Sequence, residues 1–144
     1  MITDLFPNNA KGVEYYKKYN NPERPSLLLE ELLAGHEVSE EELVAQGFDN
    51  IITQLGYEWL DDIKNPAGSI KVFEYGLKLM PTNARLYDGL GEAYFVNKEW
   101  DNAITNYAKS LSLNPNNKNA IEMLVKIQEM RELDSRWNAW ALKA

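Results

Sequence analysis

His36 is the sole imidazole of the sequence and cysteine is absent, so the side chains that usually carry nucleophilic, redox or zinc chemistry are scarce. Tetrahedral zinc would have to be assembled from one imidazole and several carboxylates or waters, an uncommon set. His36 itself lies in Ala34-Gly35-His36-Glu37, a helix-end pattern where a cation is favourable against the macrodipole. The serines sit in Ser26-Leu-Leu-Leu, Ser39-Glu-Glu-Glu, Ser69-Ile-Lys-Val, Ser110-Leu-Ser112-Leu and Ser135-Arg-Trp-Asn, and none forms Ser-x-x-Lys or Gly-x-Ser-x-Gly. Gly89-Leu90-Gly91 begins like a dinucleotide fingerprint, but it lacks the third glycine and falls inside a helical stripe instead of after a strand. Glu40-Glu41-Glu42 suits the acidic start of a helix and Asp61-Asp62 a solvated helix end; neither pairs an acid with a base. These residues predict no catalytic centre, no metal site and no cofactor, and the expected protein is not an enzyme.

The elements that carry these residues read as helices. Tyr87, Leu90, Gly91 and Tyr94 recur at steps of three and four, which puts them on one face. Gly91, in the middle of that face, costs about 1 kcal/mol of helix propensity and in return lets a neighbour come close. Ala103, Tyr107, Ser110 and Leu111 make a second stripe of alternating small and large residues. Lys98 to Asp101 form the expected turn between the two, and Pro115 ends the second helix because its ring cannot continue one.

The pattern recurs. A shift of 34 residues lays Ile104 on Ile70, Tyr107 on Phe73, Ser110 on Gly76, Leu111 on Leu77 and Pro115 on Pro81. The first helix needs a shift of 35, which lays Tyr87 on Ile52, Leu90 on Leu55, Gly91 on Gly56 and Tyr94 on Trp59. The extra residue is expected in the turn Asp61 to Ala67, beside the loop signal Asn65-Pro66-Ala67-Gly68. Asp49 is expected to cap the helix Asn50 to Asp62. Forward of the second copy only the first-helix pattern continues, with Ile121, Leu124, Val125 and Gln128.

Tyr87-x2-Leu90-Gly91-x2-Tyr94, followed by Ala103-x3-Tyr107, Ser110 and Pro115, resembles a tetratricopeptide repeat over its whole length. The resemblance implies an all-α fold, a short right-handed α-solenoid of helix-turn-helix units. Its expected divisions are an N-terminal helical extension over 1–48, two repeats over 49–82 and 83–117, and a C-terminal capping helix over 118–144. It also implies a non-catalytic interaction module with a concave groove, lined by the first helices, that takes an extended or helical peptide. With Ile52, Tyr87 and Ile121 as the buried centre, positions roughly 80 to 160° further round each helix should line that groove. They are Asn50, Thr53, Tyr57 and Leu60, then Arg85, Asp88, Glu92 and Phe95, then Asn119, Glu122, Lys126 and Glu129. Some family members grip a carboxylate tail with lysine, arginine and asparagine; Thr53, Tyr57 and Asp88 are poor substitutes. The expected partner is instead a protein or peptide segment with apolar and basic residues.

Ser39-Glu40-Glu41-Glu42-Leu43, Leu55-Gly56-Tyr57-Glu58-Trp59-Leu60 and Leu86 to Tyr94 also resemble, over about half the chain, the repeat region appended to some bacterial serine hydrolases of the penicillin-recognising type. That likeness implies an accessory domain of a larger bacterial enzyme, and no catalytic residue carries over from it.

Upstream, Lys11 to Asn20 and the leucine-rich run after Ser26 read as helices, and Ser39 with Glu42 as a capping box. Downstream, Lys118 to about Lys143 reads as one long helix, with Asp134-Ser135 as a point of interruption. Trp137 and Trp140 either fold back onto the last repeat or form a surface for a homodimer or another partner. The net charge of −7 disfavours nucleic acid and anionic membranes as partners. No apolar run reaches the roughly 20 residues of a membrane span. Met1 to Gly12 lacks the pattern of a signal peptide, so a soluble cytoplasmic protein is expected, or an extracytoplasmic one if it belongs to a larger exported enzyme.

Overall fold

A computed structural model describes residues 38–143. The helices expected over Lys11 to Asn20 and after Ser26, like His36, lie outside the described residues. The described elements are α1 (Glu40–Ala45), α2 (Phe48–Tyr57), a π-helical turn (Glu58–Asp62), α3 (Pro66–Leu79), α4 (Ala84–Val96), α5 (Trp100–Leu113) and α6 (Lys118–Lys143). All are helical, as the two stripes required, and α2–α3 and α4–α5 are successive hairpins.

Polar side chains set the helix starts by satisfying amide groups that have no partner within the first turn. Ser39 Oγ accepts from the Glu42 amide at 3.2 Å, Asn65 Oδ1 from Gly68 at 2.9 Å, Asn83 Oδ1 from Leu86 at 3.3 Å and Asn117 Oδ1 from Ala120 at 3.2 Å. The start of α2 differs from expectation. Gly47, at φ 78°, is the cap and the helix begins at Phe48, so Asp49 lies inside it. The Asp49 carboxylate is buried and faces Asn83 and Arg85 instead of its own helix.

The turn between α4 and α5 is also shorter than expected, because Trp100 and Asp101 already belong to α5. Lys98 takes the left-handed conformation at φ 59°, and Lys64, 34 residues earlier, does the same at φ 60°. The two turns are therefore equivalent, and the additional residue of the upstream copy is not in the turn. It sits in the last coil of the preceding helix, where the Ile63 amide donates to Glu58 five residues back at 2.9 Å. A π-turn absorbs one residue without breaking the hydrogen-bond ladder.

Phe73 of α3 joins the two hairpins. Its ring is fully buried, and a Cβ placed on Gly56 of α2 or on Gly89 of α4 would come within 2.3 and 2.4 Å of it. Both helices thus lack a side chain where the same ring enters. One core cluster runs from Leu43 and Phe48 through Ile52, Leu55, Trp59, Val72 and Phe73 to Leu86, Leu90 and Ala93. A second gathers Ala103, Tyr107, Ala120 and Ile127, and half-buried Tyr94 borders both. Buried hydroxyls cross-link the helices: Ser69 donates to Gly56 O at 2.7 Å and Ser110 to Ala84 O at 2.9 Å. Glu40 accepts from the amide and hydroxyl of Thr82, at 2.8 and 2.7 Å, and fixes α1 to the α3–α4 turn.

The buried face of α4 and of α6 is centred one residue earlier than expected, while that of α2 is not. Ile52 is fully buried, but in α4 it is Leu86 that is sealed, while Tyr87 is half-buried with its hydroxyl on Pro81 O at 3.0 Å. In α6, Ala120 and Ile127 are buried, whereas Ile121 and Val125 are exposed, because no described helix packs on the outer side of α6. Helix α6 runs unbroken through Asp134-Ser135. Its last ties to α5 are Arg131 to Asp101 at 2.7 Å and the Trp100 indole N–H to Asp134 at 3.1 Å. At about 1.5 Å per residue, α6 is nearly twice as long as α5 and runs past its start. Trp137 and Trp140 therefore do not fold back onto the repeat; they stack on each other, centroids 5.1 Å apart, and stay exposed.

Gly56→Ala and Gly89→Ala should each destabilise the fold by about 1–3 kcal/mol through overpacking, despite a gain in helix propensity of about 1 kcal/mol. Gly91→Ala should cost less, since its Cβ would stand 3.0 Å from the Tyr107 ring. Urea melts of the three variants test the order; equal midpoints would remove Phe73 from its central role.

Candidate functional site

Three helices, α2, α4 and α6, supply the face on which the sequence placed a groove. Residues at matching positions of the repeat meet there. Tyr57, Glu92 and Lys126 form one row, spaced by 35 and then 34 residues. The Tyr57 ring stands edge-on to Phe73, centroids 5.5 Å apart at 76°, and its hydroxyl is within hydrogen-bonding reach of Glu92. Burial pushes the Tyr57 phenol far above its ordinary range, and the negative charges of Glu92, Asp88 and Asp61 push it further. Burial likewise raises the Glu92 carboxyl; the Tyr57 hydroxyl and Lys126 oppose that rise, while Asp61 and Asp88 add to it. Lys126 holds its ammonium 5.3 Å from the centre of the Phe95 ring, and Phe95 leans on Trp100 at 5.6 Å.

The neighbouring rows are tied into the scaffold. Asp88 accepts from Asn119 at 3.2 Å on both oxygens and from Asn117 at 3.1 Å, and Asn117 also donates to Ser110 Oγ at 3.0 Å. Arg85 donates to Asn50 Oδ1 at 2.8 Å and stands 3.6 Å from Asp49. Thr53 turns its hydroxyl back to Asp49 O at 2.8 Å. Of the expected lining residues, Asn50, Thr53, Tyr57 and Arg85 do meet around one open cleft of about 440 Å³ between α2 and α4. Glu122 and Glu129 are exposed on α6, away from that cleft.

Leu60 is the clear misplacement: it is buried in the core. It follows the onset of the π-turn, where the 100° step used to place it no longer holds. The same turn brings in residues the pattern did not name. Glu58, Asp61 and Asp62 line the cleft together with Gln54. The signal for them was the 35-residue spacing, which marks an insertion between Trp59 and Lys64.

Under the groove lies Tyr107. It occupies the position of Phe73, its ring packs on Gly91, and its buried hydroxyl has no hydrogen-bond partner. Burial, then the charges of Glu92 and Asp88, drive its phenol far above the ordinary range. Among the described residues no three His, Cys, Asp or Glu side chains come together as metal ligands, and no helix is long and apolar enough to cross a membrane.

A family model described as Tetratricopeptide repeat matches residues 84–117, the span of α4, α5 and the turn that follows. Residues 84–117 are a tetratricopeptide repeat. No curated protein matches the chain. Tetratricopeptide repeats generally mediate protein–protein contacts and are typically non-enzymatic, and the packing of Tyr107 on Gly91 is the geometry by which this repeat closes.

Tyr107→Phe should stabilise the protein by about 1 kcal/mol, since it deletes a buried unpaired hydroxyl and restores the residue found at Phe73. A loss of stability in chemical denaturation would mean that the hydroxyl has a partner. For Glu92 the raised pKa means that the neutral form favours folding: its contribution is full below the ordinary carboxylate range and is lost as pH climbs through the raised value. Glu92→Gln should therefore lift the melting temperature near pH 7 and change it little near pH 4. Thermal melts across that range check the sign.

Proposed function

We propose that the protein is a non-catalytic interaction module whose groove takes a protein or peptide segment carrying a basic side chain beside an apolar anchor. In this reading α2–α3 serves as an upstream repeat and α6 as the cap. The observation that carries it is the cleft beside Tyr57, whose lining has three acids, Glu58, Asp61 and Asp62, and a single base, Arg85. Arg85 is already engaged by Asn50 and Asp49, so it offers little to an incoming carboxylate. A lysine or arginine of the partner would enter between the acids of the π-turn, with the Tyr57 ring as an apolar and π-face contact. Phe95, half-buried further along the groove, suits the anchor.

Such a site gains speed and selectivity from its field more than it gains affinity, so binding should weaken with salt. Fluorescence anisotropy with paired peptides, one joining leucine or phenylalanine to lysine and arginine, the other to aspartate and glutamate, tests this. The basic peptide should bind more tightly, and Asp61→Asn with Asp62→Asn should weaken it by about three- to tenfold and flatten its salt dependence. Preference for the acidic peptide, or equal affinity for the neutralised variant, would overturn the assignment.

A further inference from the structure

Helix α6 extends beyond Asp134, its last tie to α5, into a bare stretch. Leu133, just before that tie, and Trp137 and Trp140, beyond it, stand at steps of four and three and so share one side. They are 57, 66 and 62% exposed. We propose that this bare stretch is a self-association surface, on which the same stretch of a second copy lies antiparallel about a two-fold axis.

Three features of the stretch point to a second copy. The first is symmetry. An isologous contact must be complementary to itself. An axis midway between the two indoles, near Asn138 and Ala139, sets Trp137 of each copy against Trp140 of the other. The second is reach: past Asp134 the helix stands clear of α5, so a second helix can lie along it. The third is area. Covering two largely exposed indoles and Leu133 on each copy removes on the order of 1,000 Å² in total, the lower edge of a specific interface. The stretch also has two bases, Arg136 and Lys143, in a chain of net charge −7, so two acidic molecules repel each other least when they meet here. Such a dimer is weak, because its area lies at the lower edge of specific contacts.

The same register sets Lys143 of each copy level with Asp134 of the other, between Glu132 and Arg136. The association therefore rests on the covered indoles. Sedimentation equilibrium of the whole chain from about 1 to 200 µM tests this. The expected result is a rise toward twice the monomer mass, with a blue shift of tryptophan emission over the same concentrations. Trp137→Ala with Trp140→Ala should keep the monomer mass throughout while retaining its helical circular dichroism. A wild-type chain that stays monomeric would overturn the proposal and leave the surface to a different protein. Association undiminished in the double variant would move the contact elsewhere and overturn it too.

Discussion

One ring between two glycines fixes the geometry of this protein. Phe73 lies so close to Gly56 and Gly89 that neither position has room for a methyl group while the ring stays in place. Because α2 and α4 approach the ring from different hairpins, their separation is set by its thickness. Everything on the groove side inherits that spacing: Tyr57 meets Phe73 at its edge and comes within reach of Glu92, and Arg85 reaches Asn50. The next interface uses the same device in a looser form, with Tyr107 against Gly91. A phenol replaces the phenyl ring, and its hydroxyl is buried without a partner among acids.

Much of this was readable from spacing because the spacing is dictated by packing. Gly56, Gly91, Ala103 and Ser110 are small for steric reasons, and their positions repeat because the hairpins do. The Ser39 cap and the stop before Pro115 were equally local. What spacing could not show was where an inserted residue goes. A 35-residue interval fits a longer loop or a wider helical coil equally well, and only the bond from Ile63 to Glu58 separates them. The misplacement of Leu60 and the omission of Glu58, Asp61 and Asp62 follow from that one ambiguity.

The partial legibility of the groove has a second cause. Wheel positions say which way a residue points, not which partner it has already taken. Asp88 and Arg85 both lie where expected, yet both are drawn into contacts that join one repeat to the next, Asp88 with Asn117 and Asn119, Arg85 with Asn50 and Asp49. Their charges still shape the field over the groove. Asp61, within the π-turn, contributes to that field without such a cross-helix tie, and it raises both Tyr57 and Glu92. A single inserted residue has thus changed the character of one end of the surface without altering the hairpins beneath it.

The unequal sealing of α6 gives the array a direction. Helices α1 to α4 share a broad cluster that includes Phe48, Trp59 and Phe73, whereas α6 contributes only Ala120 and Ile127 as fully hidden apolar side chains. Stacked units exchange stability only with their neighbours, so the lightly fastened end opens first and most often. Among the described helices, amide protons of α6 should therefore exchange faster than those of α2 and α3. Whatever clasps that helix would tighten every unit behind it in turn.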